Sequence, residues 1–132
     1  MYNKIMNYVV EMVEDFETVE VIYNDEYFGY NLWENKIYVT ELEADEDFDN
    51  FMINYIKEEF NIEISKEQLP IFNMLHEIGH KETKDKIDYD TYINEISTIS
   101  PDEYLRYRQV LAEYLADNWA ACFIEAFGIE NL

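Results

Sequence analysis

Cysteine, histidine, proline, glycine and basic residues are all scarce in this chain of 132 residues, and each shortage excludes something. A single cysteine, Cys122, cannot build an internal disulfide framework, and a lone thiol suits a reducing compartment. No apolar run approaches the roughly 18 residues that a membrane-spanning helix needs. The opening stretch MYNKIMNYVVEMVEDF carries acids within its apolar run and lacks a small-residue cleavage site, so it does not read as a secretory signal. A cytoplasmic protein is expected. With only two prolines and three glycines there is no flexible linker, and no repeat or low-complexity tract divides the chain, so residues 1–132 are expected to form one domain.

Nine basic residues stand against 30 acidic ones, a formal net charge of −21. Such a field repels nucleic-acid phosphates and anionic lipid, so direct contact with nucleic acid or membrane is not expected. The simplest account is an acid-coated surface. The functional accounts are a basic protein substrate, or mimicry of the charge of DNA.

What is plentiful is apolar: 48% of residues are hydrophobic and 17% aromatic, enough for a core and against disorder. Ile5, Val9, Met12, Val13 and Phe16 recur at helical spacing and predict an amphipathic helix over 3–16. TVEVIY, YFGYNLW and KIYVTEL are rich in β-branched and aromatic residues and are separated by turn signals at Asn24-Asp25 and Glu34-Asn35. They predict a small antiparallel meander, with KIYVTEL as its exposed edge. Helical spacing returns at Phe48, Phe51, Met52, Tyr55, Ile56 and Phe60. Ser65 and Gln68 form a capping-box pair, and Pro70 marks a first helical turn. That helix should fray after Gly79, and the polar stretch from Lys81 to Ile99 reads as a long loop. Ser100, Pro101 and Glu103 announce a last helix running to about Phe127, with Gly128 as its stop. The expected class is α+β, a small antiparallel sheet packed with helices.

The chemistry concentrates at positions 76 to 80, His-Glu-Ile-Gly-His. On a helix, residues four apart share a face, so both imidazoles can reach one metal ion. Glu77 points one residue round the helix and can reach water at the metal as a general base. Both histidines of the chain fall in this motif; two placed at random would produce it only a few times in about a thousand.

A catalytic zinc site usually has three protein ligands and an open position. There is no third histidine, and position 86, where an extended metzincin motif would need one, is Lys86. The third ligand is therefore a carboxylate, or else water fills the place. Glu113 and Asp117 lie four apart on the last helix, flanked by Leu111, Leu115, Ala116, Trp119 and Ala120. Acids on so apolar a helix need a partner, because an unpaired buried charge is costly. The assignment is Glu113 to the metal and Asp117, one turn on, orienting a ligand histidine. Glu82, Glu95 and Glu103 are weaker candidates, since nothing fixes them opposite the histidines. Such a site activates water, with Glu77 moving the proton. A donor to the oxyanion is also needed, and Tyr89, Tyr92, Tyr104 and Tyr107 are the candidates. Cys122, on the apolar stretch of the last helix, is read as core.

HEIGH followed some thirty residues later by Glu113-x-x-Ala116-Asp117 resembles the gluzincin metallopeptidases. Among these it is most similar to the small IrrE/ImmA-type peptidases of bacteria, phages and integrating elements. The resemblance covers about 66–82 and 108–124. It implies a minimal zincin-like fold, a zinc cofactor and proteolysis of a helix-turn-helix repressor, a basic DNA-binding regulator. Two positions depart from the pattern. Lys84 stands where many relatives carry another histidine, and Asp117 is often Asn in them. The alternative expectation is an acidic DNA-mimic or inhibitor with a structural or non-catalytic zinc site.

Overall fold

The computed structural model describes residues 20–24, 27–40 and 46–128. The helix expected over 3–16 lies outside them. Three short strands, β1 (Glu20–Tyr23), β2 (Gly29–Asn31) and β3 (Lys36–Val39), precede five helices: α1 (Glu46–Phe60), α2 (Leu69–Thr83), α3 (Tyr89–Ile96), α4 (Tyr104–Gln109) and α5 (Leu111–Phe127). The class is α+β, as the patterning predicts.

The sheet corrects the meander. Its order is β1-β3-β2; β2 and β3 pair antiparallel, but β1 runs parallel to β3, with Glu20 opposite Lys36 and Val21 opposite Ile37. The cause sits at Asn24. Its backbone N–H and its side-chain amide both donate to the Val39 carbonyl, and its Oδ1 accepts from the Tyr27 N–H. This pins the end of β1 to the end of β3, so the chain crosses over and delivers β2 to the far side. Lys36–Val39 of KIYVTEL therefore form the central strand, and among the described residues β1 and β2 are the edges. The β2–β3 turn closes on Asn31, whose Oδ1 accepts from the N–H groups of Trp33 and Glu34, and on Asn35 in the left-handed region at φ 53°. Alternation along β3 drives Ile37 and Val39 fully into the core.

Helix α1 lays Met52, Tyr55 and Ile56 inward, with Phe48, Phe51 and Phe60 packed partly buried at the margin. It ends at Asn61, in the left-handed region at φ 55°, whose N–H returns to the Lys57 carbonyl. Gln68 accepts from the Ser65 N–H through its side chain at 3.0 Å, a 3₁₀ turn follows, and Pro70 sits in the first turn of α2 as expected. Helix α2 does not fray at Gly79. It continues to Thr83, whose hydroxyl donates back to the Gly79 carbonyl at 2.7 Å.

The expected long loop is also largely helical. A 3₁₀ turn, Lys84–Lys86, leads into α3, capped by Asp88 accepting from the Thr91 N–H. The last helix is two helices. Ser100 and Glu103 close a local turn, α4 is short, and Val110 in extended conformation (φ −60°, ψ 135°) breaks the run before α5. Gly128 terminates α5 with φ 79°.

Helices α2 and α5 form the central contact. They meet at Gly79: a Cβ there would lie 2.6 Å from the Ala116 carbonyl oxygen and 2.9 Å from its Cα. The glycine between the two motif histidines thus sets how closely the acid-bearing helix approaches. On α5 the buried set is Ala112, Glu113, Ala116, Asp117, Ala120, Ala121 and Ile124. Cys122 falls on the opposite stripe, with Leu111, Asn118 and Glu125, and is exposed, which corrects its reading as core. Apolar neighbours in sequence are not apolar neighbours on a helix. Among the described residues, no helix is long and apolar enough to cross a membrane.

Candidate metal centre

Two consecutive turns of α2 carry His76 and His80 on the face turned to α5, with ring centroids 4.6 Å apart and planes nearly perpendicular. The first turn of α5 presents Glu113 between them. His80 Nε2 lies 2.8 Å from Glu113 Oε2, and His76 Nε2 lies 3.4 Å from Oε1. One ligand atom from each of the three side chains falls within 4.8 Å of the others, a group that could hold a metal ion. Glu113 is only 2% exposed. Burial raises a carboxyl, but the two imidazoles it faces outweigh this and hold Glu113 well below the usual carboxylate range.

The inner imidazole is fixed from behind. His76 Nδ1–H donates to Asp117 Oδ1 at 2.7 Å, and Asp117 is fully buried. With Nδ1 donating to a carboxylate, Nε2 is the nitrogen aimed at Glu113 and the one open to a metal ion that displaces its proton. Arg108 completes this layer. Its Nη1 lies 3.2 Å from the same Asp117 oxygen and 3.4 Å from His76 Nδ1, and the residue is buried. Burial pulls the His76 pKa down, but the charge and hydrogen bond of Asp117, joined by Glu113, reverse this and raise it to about 10.

Sequence reasoning missed Arg108. The signal available was indirect: a fully buried Asp117 facing one imidazole calls for a second donor, and only two arginines, 106 and 108, lie nearby. The break at Val110 turns Arg108 inward, and no glycine or proline announces that break.

Glu77, one residue round the helix, lines a cavity of about 410 Å³ together with His80 and Glu113. Its Oε1 is 3.7 Å from His76 Nε2. Burial raises its pKa and the two histidines only partly oppose this, which moves a carboxylate toward the range useful to a general base near neutral pH.

The four tyrosines divide. Tyr92 donates its hydroxyl to Glu113 Oε2 at 3.2 Å, and the Tyr107 hydroxyl engages both Tyr92 and Glu113. Burial, and then the Glu113 charge, raises both phenols, so they stay protonated donors. Tyr89 stands at the cavity edge against Trp33. Tyr104 is not part of the site; it packs on Phe48 and Phe51. Of the weaker acids, Glu103 pairs with Arg106 at 3.0 Å and Glu82 with Lys81 at 3.5 Å. Lys84 lines the cavity and Lys86 is exposed.

No family model, curated protein or solved structure matches the chain. The resemblance to the gluzincin peptidases therefore rests on the residues of its two segments.

Proposed function

We propose that this chain is a zinc-dependent metallopeptidase. The observation that carries the reading is the convergence of two imidazole Nε2 atoms and one buried carboxylate, with the inner imidazole locked by Asp117. Two nitrogens and one oxygen are the donor chemistry that zinc accepts, and three protein ligands leave a fourth position open. His76, His80 and Glu113 would hold the ion, which supplies Lewis acidity and makes water a usable nucleophile near neutral pH.

The chain's own residues do the rest. Glu77 accepts the proton of the attacking water and passes it to the departing amine nitrogen. Asp117 and Arg108 keep the His76 ring from rotating. Tyr92 and Tyr107 bring protonated hydroxyls to the cavity wall, where either can donate to developing oxyanion charge. The −21 charge favours a basic protein as substrate. The gluzincin resemblance narrows that to a DNA-binding repressor of a phage or mobile element, met in the cytoplasm.

The same charge supports a second reading, an acidic DNA-mimic or inhibitor whose metal is only structural. Glu77→Gln separates the two. Elemental analysis of the purified protein should find about one zinc per chain in wild type and in the Gln variant. Hydrolysis of a basic protein substrate should fall by roughly 10²–10⁴-fold. A variant that loses neither turnover nor partner binding would sink the peptidase reading.

A further inference from the structure

The cavity beside Glu77 has two kinds of wall. Glu77, His80 and Glu113 form one part, and Lys84 adds the one lining cation among the described residues. Much of the remainder is apolar: Leu32, Trp33, Ile87, Tyr89, Ile93 and Ile96. Trp33 is 74% exposed and Tyr89 43%, yet the two rings meet edge to face with centroids 5.4 Å apart. They bridge the β2–β3 turn and α3, so each element contributes one half of a rim. A large indole left this exposed, with partners that define a concave wall, is the kind of surface that ligands cover. Strand β2 lies along the same cavity, and among the described residues it pairs with β3 alone. An extended backbone can add to its free edge and run past Glu77.

We infer that this wall selects the substrate: it receives a large apolar side chain, aromatic or branched, of an extended polypeptide whose scissile bond is presented to Glu77. This rests on the peptidase reading for the bond-breaking step, but the recognition step stands on the cavity alone. An acidic side chain is disfavoured, because the lining carries two carboxylates, Glu77 and Glu113, against the single cation Lys84. Trp33 and Ile93 determine specificity; neither is a member of the metal-ligand group.

The test uses the full-length chain with Trp119→Phe, which leaves Trp33 as the sole tryptophan, and Glu77→Gln, loaded with zinc. The probes are amidated octapeptides without Tyr or Trp, carrying Phe, Leu, Ala, Lys or Asp at one central position. Phe and Leu peptides should shift Trp33 emission to the blue and bind at least about tenfold tighter than the Ala and Asp peptides. Ile93→Glu should invert the order in favour of Lys, a gain that misfolding cannot mimic. The enzyme with Glu77 restored should cleave the peptides in the order in which they bind. Equal binding of all five peptides, or an unresponsive Trp33, overturns the inference. Ordered binding without any cleavage upholds the pocket and sinks the hydrolytic reading; cleavage without order does the reverse.

Discussion

His76 and His80 are the same residue one helical turn apart, yet their surroundings differ in kind. The side chain of His76 is 6% exposed and is gripped on both ring nitrogens' sides, by Glu113 in front and Asp117 with Arg108 behind. That of His80 is 20% exposed, meets Glu113 at 2.8 Å with no carboxylate among the described residues behind it like the Asp117 behind His76, and lines the cavity beside Glu77. One histidine belongs to the core of the α2–α5 contact; the other belongs to the cavity. A site that needs both a rigid frame and an accessible position can obtain both from a single helix, provided one turn is buried and the next is not.

Removing each ring in turn tests that asymmetry. His76→Ala and His80→Ala should both abolish stoichiometric zinc in elemental analysis. Only His76→Ala leaves Asp117 and Arg108 buried beside a void, and the loss of one member of a buried ionic cluster costs about 3–5 kcal/mol. Its metal-free form should therefore melt further below metal-free wild type than metal-free His80→Ala, which strips one partner from Glu113 but leaves His76 and Tyr92 facing it. Equal melting temperatures for the two variants would erase the distinction between frame and opening. A smaller effect tests the frame itself. Gly79→Ala places a methyl group against the Ala116 backbone, so α5 must shift at an overpacking cost of about 1–3 kcal/mol. Because Glu113 rides on α5, zinc affinity in a competition titration should fall with stability. Unchanged affinity would mean that the helix spacing does not set the ligand geometry.

The two sides of the site were unequally legible in the sequence. His76, Glu77 and His80 announce themselves because the metal motif is local and its spacing is the helix period. Glu113 and Asp117 could be found by asking what acids do on an apolar helix. Helix periodicity also carries the burial of Met52 and Ile56, and the capping pair with Pro70 marks the first turn of α2. What escaped depends on contacts between distant segments. Arg108 turns inward only because α4 and α5 meet at Val110, a residue with no punctuating chemistry. The parallel placement of β1 follows from Asn24 reaching Val39, which no turn signal encodes. Helix α3 is hidden in the sequence because its run is polar and leaves no residue buried, so no core-facing stripe marks it; its ordering signal is the Asp88 cap. Cys122 was misplaced by reading composition where helical phase was needed.

The pH dependence of metal uptake probes the frame at its finest scale. In the metal-free protein burial opposes the charge on His76, but Asp117 and Glu113 overcome it and hold the proton until about pH 10, above the ordinary imidazole value of 6.5. The sign follows directly. A raised pKa contributes stability that is complete below pH 6.5 and is lost as pH climbs through about 10, so metal-free protein should lose thermal stability across that window. A metal ion needs the neutral ring and must displace that proton, so loading should release protons, and apparent zinc affinity should rise up to about tenfold per pH unit until the proton is gone. Asp117→Asn removes the charge that retains the proton and should flatten this dependence at alkaline pH, read in the same competition titration at pH 7, 8 and 9. Its affinity should also drop about 10–100-fold at the highest pH, since the amide orients the ring less firmly. A slope equally steep in both proteins would show that the proton is held elsewhere than on His76.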